Sequence, residues 1–435
     1  MSGGCSLLES EKGVPMTRPS TRRSFLQRVA AVPAVLGAGS ALADVLPEQD
    51  DPGGDAYWEM VRRQFAFRED KVPMNAANLC PSPRVVAEAV TRLTHEIDVD
   101  CSFQNRGRFD ELREAARSSL AAQIGASPDE IALVRNTSEA NNTINNGFPL
   151  GAGDEVVVWD QNHPTNQVAW DVRAARHGAV VKRVTTPARP SGVDELVDVF
   201  RRALTPSTRA LAITHVSNVS GLRLPVREIC QIAHEHDVYV HVDGAQCWGV
   251  LQLDLHALGC DSYSGSAHKW FVGPKEAGLL YVRAEQIDRI WPSGVAPGWG
   301  DDVESDLKGA RKFESLGQRD DACLAAVGVS VDFHASLGPD RIEARVLELA
   351  ARLKTGLSEL GATLVTPMLP ELSGGVCIAA SDGERRRELF ERLYAEHGIA
   401  GAPTGGLRLC PHLYNTVDHV DRALQGVKEL RSLLA

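Results

Sequence analysis

From Glu130 onward the chain repeats one alternation that leaves few folds open to it. Strand candidates at Ile131–Val134, Glu155–Trp159, Val180–Val184, Arg209–Thr214 and Val238–Val242 alternate with stretches of helical composition. This strand–helix–strand spacing predicts right-handed βαβ units around a mostly parallel sheet. The fold class expected is therefore α/β. Upstream, Ala56–Arg68 and Ser82–Glu96 read as helices, and Asp110–Ile124 has strong helix-forming composition. From about Gly309 the pattern changes to long helices at Asp320–Ser336 and Asp340–Leu360, short strands at Val376–Ala379 and Leu407–Leu409, and helices at Glu384–His397 and Asp418–Leu434. This predicts a large domain over 57–308 and a smaller α/β domain over 309–435.

The chain has 435 residues, 43% of them hydrophobic, enough for a large core. A formal charge of −11 without a long basic block argues against a nucleic-acid partner. The 9 cysteines show neither a C-x-x-C pair nor a Cys/His cluster, so neither a metal site nor a disulfide framework is indicated, and most read as small buried hydrophobes.

The N-terminus stands apart. Thr21-Arg22-Arg23-Ser24-Phe25-Leu26 precedes an alanine-rich apolar stretch, Val29–Leu42, with Ala41-Leu42-Ala43 as small residues for cleavage. Residues 1–43 resemble a twin-arginine signal peptide. The resemblance implies passage of the folded protein through the Tat export machinery to a periplasmic or extracellular location. The stretch is too short and too rich in Gly and Pro for a stable membrane anchor. Residues 1–43 carry five Lys or Arg against two Asp or Glu, so their removal would take the charge from −11 to −14. Residues 44–56 read as a polar linker.

Chemistry concentrates at the ends of the predicted strands. Asp243, in His241-Val242-Asp243-Gly244-Ala245-Gln246, falls at the carboxyl end of Val238–Val242, where open α/β sheets place ligands. Lys269 lies in Ser264-Gly265-Ser266-Ala267-His268-Lys269-Trp270, on a loop before the strand Gly278–Val282. A lysine amine able to form a Schiff base, a carboxylate able to face a pyridine nitrogen, and small donors such as Ser266 and His268 are what pyridoxal phosphate requires. Taken singly, Asp243 could equally cap a helix and Lys269 could be a solvated charge. Asn136-Thr137-Ser138-Glu139 follows the first strand and opens a helix, so Thr137 and Ser138 are candidates either for a phosphate dianion or for a simple N-cap.

Taken together, these segments resemble the aspartate and Schiff-base lysine segments of the class V aminotransferases. These are fold-type I pyridoxal phosphate enzymes that include isopenicillin-N-epimerase-like proteins and cysteine desulfurases. The resemblance runs from about Val72 to the C-terminus and implies a mostly parallel sheet of seven-stranded type and a homodimer. It gives Lys269 the cofactor link and proton transfer at Cα, and Asp243 the ring nitrogen. It gives Thr137 and Ser138 the phosphate, and His163 the face of the ring. Asn218 and Gln246 take the phenolic oxygen, and Arg408 the α-carboxylate of an amino-acid-like substrate. Gln318, in Phe313-Glu314-Ser315-Leu316-Gly317-Gln318-Arg319, stands where the family usually has a threonine that reaches the phosphate held by the partner subunit. Without the resemblance, His163 and Arg408 read as surface residues, and Asn218 and Gln246 as turn amides.

Sulfur transfer would need a mobile nucleophilic cysteine in a loop before Arg408 or in an earlier active-site loop, and the stretch before Arg408, Gly398–Gly406, contains none. Cys410, two residues after Arg408, should face the core. The reading is a pyridoxal phosphate enzyme acting at Cα of an amino acid, epimerase-like or aminotransferase-like. A carbon–sulfur lyase or desulfurase, and an exported non-catalytic binding protein, are the alternatives.

Overall fold

The apolar runs of the sequence become adjacent strands of one sheet. A computed structural model of the chain describes residues 54–295, 308–381 and 383–434. The twin-arginine segment, 1–43, and residues 44–53 of the linker lie outside the described residues. In chain order the elements that frame the site are α1 (Asp55–Arg62), β1 (Val72–Pro73), α2 (Arg84–Val99), α3 (Phe103–Gln123), β2 (Ile131–Val134), α4 (Thr137–Gly147), β3 (Glu155–Trp159), α5 (Pro164–His177), β4 (Val180–Val184), α6 (Val193–Ala203), β5 (Thr208–Thr214), α7 (Val226–His234), β6 (Tyr239–Asp243), α8 (Leu255–Leu258), β7 (Ser262–Ser266) and β8 (Gly278–Val282). The C-terminal part adds α9 (Asp321–Leu337), α10 (Pro339–Glu359), β9 (Cys377–Ala379), α11 (Gly383–His397), β10 (Ile399–Ala400), β11 (Leu407–Leu409) and α12 (Val417–Glu429).

The seven-stranded sheet has the order β2-β8-β7-β6-β5-β3-β4. Only β8 runs against its neighbours, pairing antiparallel with both β2 and β7. The carboxyl ends of the other six strands thus share one edge. After β3 the chain moves outward to β4, then returns to β5 on the other side of β3, so β3 and β5 flank a topological switch point. A crevice opens there because the loops leave to opposite sides. Two apolar cores cover the two faces. One joins Leu133, Trp159, Leu211, Val240 and Phe271, and the other Val134, Val158, Ala212 and Leu280. Helix α9 is buried on nearly every side and packs against α2 and α3, the arrangement expected for a helix that is apolar all round.

A third core unites the C-terminal elements, and it includes Val72 and Met74 from the N-terminal arm. Strand β1 pairs in parallel with β10, so a segment early in the chain completes the C-terminal layer. Helix α1 ends at Arg62, six residues before the predicted Arg68. There the Arg62 guanidinium turns back to the carbonyls of Phe65 and Phe67, and Phe65 bridges to Pro83 as extended chain. Helix α3 starts earlier than predicted, at Phe103, because the Ser102 hydroxyl accepts from the Asn105 N–H as an N-cap. Strand β7 was not expected at all, since Ser-Tyr-Ser-Gly-Ser carries little apolar signal. Among the described residues no single helix is long and apolar enough to cross a membrane.

Candidate active site

The loops at the shared carboxyl edge bring together residues more than a hundred positions apart. Asp243 closes β6 and is 1% exposed. Its Oδ2 accepts from Asn141 Nδ2 at 2.9 Å and its Oδ1 from the Ala245 N–H at 3.0 Å. Each oxygen keeps a lone pair for another donor. Asn141, on α4, is the hub behind it. Its Oδ1 accepts from the Ser264 hydroxyl at 2.6 Å and from His241 Nε2 at 2.9 Å, while His241 Nδ1 lies 2.8 Å from Ser262 Oγ. Burial pushes the His241 pKa down to about 4, so the ring is neutral and this donor–acceptor order follows. Sequence reasoning missed Asn141, Ser262 and Ser264. A helical asparagine and a serine-rich segment carry no signal until the fold joins them.

The approach of β2 to β7 around β8 depends on Gly278. A Cβ there would fall 2.6 Å from the Gly265 carbonyl oxygen and 2.9 Å from Asn136 Cα. With that close contact, the Thr137 N–H donates to Ser266 Oγ at 2.8 Å, and the two hydroxyls lie 2.7 Å apart. The N-cap of α4 is neither Thr137 nor Ser138. Asn136 holds that position, its Oδ1 accepting from the Glu139 N–H at 3.0 Å. Ser138 is exposed at the first turn of the helix, where backbone N–H groups favour an anion.

Lys269 follows β7 in a tight loop. The Gly273 N–H donates to the Ala267 carbonyl at 2.7 Å and Val272 N–H to the Lys269 carbonyl at 3.0 Å. Val272 has φ 47°, a left-handed conformation strained for a β-branched residue. Burial lowers the pKa of Lys269, Asp243 opposes that shift, and Arg408 adds to it. His163, the N-cap of α5 with Nδ1 2.9 Å from Thr165 Oγ1, is lowered by burial and by Lys269 and Arg408, and raised by Asp243. These mutual influences put Lys269, Asp243, His163 and Arg408 in one electrostatic neighbourhood.

Arg408, on β11 and 5% exposed, donates from Nη1 to the Asn218 carbonyl at 3.0 Å and from Nη2 to Asn75 Oδ1 at 3.1 Å. Asn75 was another residue missed in the sequence. Gln246 is largely occupied. Its Oε1 accepts from Trp270 Nε1 at 2.8 Å and its Nε2 donates to the Ala77 carbonyl at 3.1 Å, which leaves one N–H. Gln318 lies on the surface, its Oε1 accepting from Arg106 and its Nε2 donating to the Arg319 carbonyl. Cys410 is fully buried, in line with its expected inward direction.

The site retains unspent bonding capacity. His268 Nδ1, Asn218 Oδ1 and Arg408 Nε are buried without hydrogen-bond partners among the described residues. Buried polar atoms are normally partnered, so orphans around an amine and a carboxylate mark where a polar ligand belongs. The residues present fit pyridoxal phosphate. They include an amine of lowered pKa, a fixed carboxylate, a helix N-terminus with hydroxyls, and free polar atoms.

Comparison with known proteins agrees with this geometry. The aminotransferase class-V family model matches residues 82–419. Isopenicillin N epimerase of Streptomyces clavuligerus is 32% identical over 392 residues, covering 86% of this chain and 98% of that protein. A probable cysteine desulfurase of Methanothermobacter thermautotrophicus is 30% identical over 69% of this chain and 76% of its own length. A solved mutant carrying glycine covalently linked to its pyridoxal phosphate superposes with a TM-score of 0.78 at 23% identity, over 85% of this chain and 99% of that one. The cysteine desulfurase of Escherichia coli gives 0.75 at 24% identity, over 89% and 100%. The chain belongs to the class V aminotransferases and is a pyridoxal phosphate-dependent enzyme with the fold-type I architecture.

Proposed function

We propose that the enzyme acts at Cα of an amino acid or amino-acid derivative, as an epimerase or aminotransferase. The observation that carries this reading is the buried Asp243 carboxylate, fixed by Asn141 and the Ala245 N–H, together with the buried and unpartnered polar atoms of His268, Asn218 and Arg408. Bound pyridoxal phosphate supplies an electron sink for charge developed at Cα. Asp243, fixed by Asn141 and the Ala245 N–H, holds the ring nitrogen. Lys269 anchors the cofactor and, with its amine pKa lowered by burial, moves the proton at Cα. Arg408 receives the substrate carboxylate, its planar guanidinium already oriented by Asn218 and Asn75. His163 covers the ring face. Ser138 and His268 would hold the phosphate, Thr137 and Ser266, already bonded to each other, would shape its cradle, and Asn218 and the remaining N–H of Gln246 would serve the phenolic oxygen.

Persulfide chemistry is the weaker reading, because Gly398–Gly406 carries no cysteine and Cys101 is the only exposed cysteine among the described residues. Our reading also includes a homodimer in which Gln318 approaches the partner's phosphate, and Tat export directed by residues 1–43 to the periplasm or beyond.

The test begins with an absorption spectrum of the purified protein. Borohydride should collapse a band in the 400 nm region and leave pyridoxyl on Lys269 by mass spectrometry. Amino acids are then screened for α-proton exchange in D₂O. A label on another lysine would discard the site. Exchange with no amino acid, alongside sulfide release from cysteine, would replace the Cα reading with the lyase.

A further inference from the structure

Helices α4 and α5 meet across a layer that is apolar except at one point. Ala140, Ile144 and Phe148 share a core there with Trp170 of α5 and with Val156 and Val158 of β3. Next to Ile144 stands Asn145, and one turn before Trp170 stands Asn166, both 0% exposed. Asn145 Nδ2 donates to Asn166 Oδ1 at 3.0 Å. The pair is only half satisfied, since Asn145 Oδ1 and Asn166 Nδ2 have no partner among the described residues. Two such amides cost stability relative to apolar side chains of similar shape. What a buried polar pair supplies instead is a single register between helices, as a lone buried asparagine does in a coiled coil.

The register matters because of what else the two helices carry. Asn141 lies one turn before Asn145 on the same side of α4, and it donates to Asp243 Oδ2 at 2.9 Å. Asn166 lies in the first turn of α5, its N–H donating to the carbonyl of the N-cap residue His163 at 2.9 Å. That same turn orients the His163 ring, because the Thr165 N–H donates to its Nδ1 at 3.3 Å. Just before His163, Asn162 ties the loop to β5, donating to the Ala212 carbonyl and accepting from the Thr214 hydroxyl. Farther along α5, Arg173 donates to the carbonyls of Asn146 and Phe148 from a partly exposed position. The amide pair is thus a fully buried link between the helix that fixes Asp243 and the helix that carries His163.

We infer that Asn145 and Asn166 are positioning residues that set where the His163 ring stands relative to the Asp243 carboxylate, and with it the tilt of a cofactor ring held by both. This rests on the reading above, in which Asp243 meets the ring nitrogen and His163 the ring face. A small rotation of α5 against α4 would move the face contact while leaving the nitrogen contact in place. Alignment of the reacting bond at Cα depends on that tilt.

The test compares the full-length wild type with Asn145→Leu and with Asn145→Leu combined with Asn166→Leu. Without cofactor, urea should unfold the single variant at a lower midpoint, because the Asn166 amide loses its partner, and the double variant near the wild-type midpoint. With cofactor, borohydride should still label Lys269 in the double variant. Its circular dichroism in the 400 nm region should nevertheless fall by about half or more, and pyridoxal phosphate should bind about three- to ten-fold more weakly. In a His163→Ala background the same two replacements should add little further loss, since they act through that ring. If the leucine pair fails to fold, Asn166→Ser is read in the same way. Wild-type dichroism and affinity in a labelled double variant overturn the inference and leave the pair a packing contact. So does an undiminished loss in the His163→Ala background. A wild type that takes no label at Lys269 fails the cofactor reading itself, and the inference falls with it.

Discussion

The polar atoms behind Asp243 and those in front of it are all shielded from water, yet they are bonded in opposite ways. Behind it, Asn141, His241, Ser262 and Ser264 satisfy one another through contacts of 2.6 to 2.9 Å. In front, His268 Nδ1, Asn218 Oδ1 and Arg408 Nε are buried with no partner. A saturated network is rigid and fixes the carboxylate, whereas an unsaturated one stores the capacity to bind. The back wall should therefore govern stability and geometry, and the front should govern cofactor and substrate.

The severest test removes the front's amine. On the proposed role of Lys269 as covalent anchor and proton carrier, Lys269→Ala should abolish the 400 nm band and lower turnover by about 10³-fold or more. Its melting temperature should stay near wild type, since a desolvated amine is removed. Next comes the hub of the back wall. Asn141→Ala leaves Asp243, Ser264 and His241 each short of a bond, and should cost about 2 to 4 kcal/mol in denaturant unfolding, with activity down by about 10- to 100-fold. If Asn141→Ala unfolds like wild type, the contrast between the two walls fails.

How far the sequence foretold this contrast depends on where the information resides. The strands at Ile131–Val134, Glu155–Trp159, Val180–Val184 and Gly278–Val282 are legible residue for residue, because each is rich in β-branched or aliphatic residues and set off from its helical neighbours, although Val180–Val184 carries Lys182 and Arg183 at the sheet's edge. The antiparallel direction of β8 is not, since strand direction is set by connection length and packing rather than by composition. Strand β7 is buried although it is mostly serine and glycine. Its hydroxyls are satisfied by His241, Asn141 and Thr137, partners on other elements that no local pattern announces. Lys269 and Asp243 were readable because their neighbours form a recognisable string. Asn141 and Asn75 reach the site through residues a hundred or more positions away.

Arg408→Gln sharpens the front. It keeps a hydrogen-bonding amide but removes the charge and the fork, so kcat/KM should fall by about 100-fold, mainly through KM. Cofactor absorbance should be unchanged. A fall confined to kcat would instead make Arg408 part of the proton-transfer geometry.

A smaller effect separates the walls by pH. His241 titrates near 6.5 when unfolded and only near 4 when folded, because burial disfavours its cation. Between these values the unfolded chain binds more protons. The stability this group contributes is therefore complete above about pH 6.5 and lost as pH falls through about 4. His241→Gln should flatten the acid limb of unfolding by about 1 to 3 kcal/mol. His334 and His412, also pushed down by burial to about 4 and about 3, should preserve the rest of the slope.

The finest distinction divides two adjacent hydroxyls. Thr137 Oγ1 and N–H are engaged with Ser266, whereas Ser138 is exposed at the same helix turn. Thr137 thus belongs with the saturated wall and Ser138 with the unsaturated one, although the sequence offered both as phosphate donors. Thr137→Val removes the Oγ1 contact while the backbone N–H still donates to Ser266, and should cost about 1 kcal/mol of stability. Ser138→Ala should leave unfolding unchanged and weaken pyridoxal phosphate binding by only about three- to ten-fold, the value of one exposed hydrogen bond. Equilibrium titration of the two apo variants decides it. If Ser138→Ala destabilises the fold while Thr137→Val loosens only the cofactor, the division between the walls has been drawn on the wrong side of this turn.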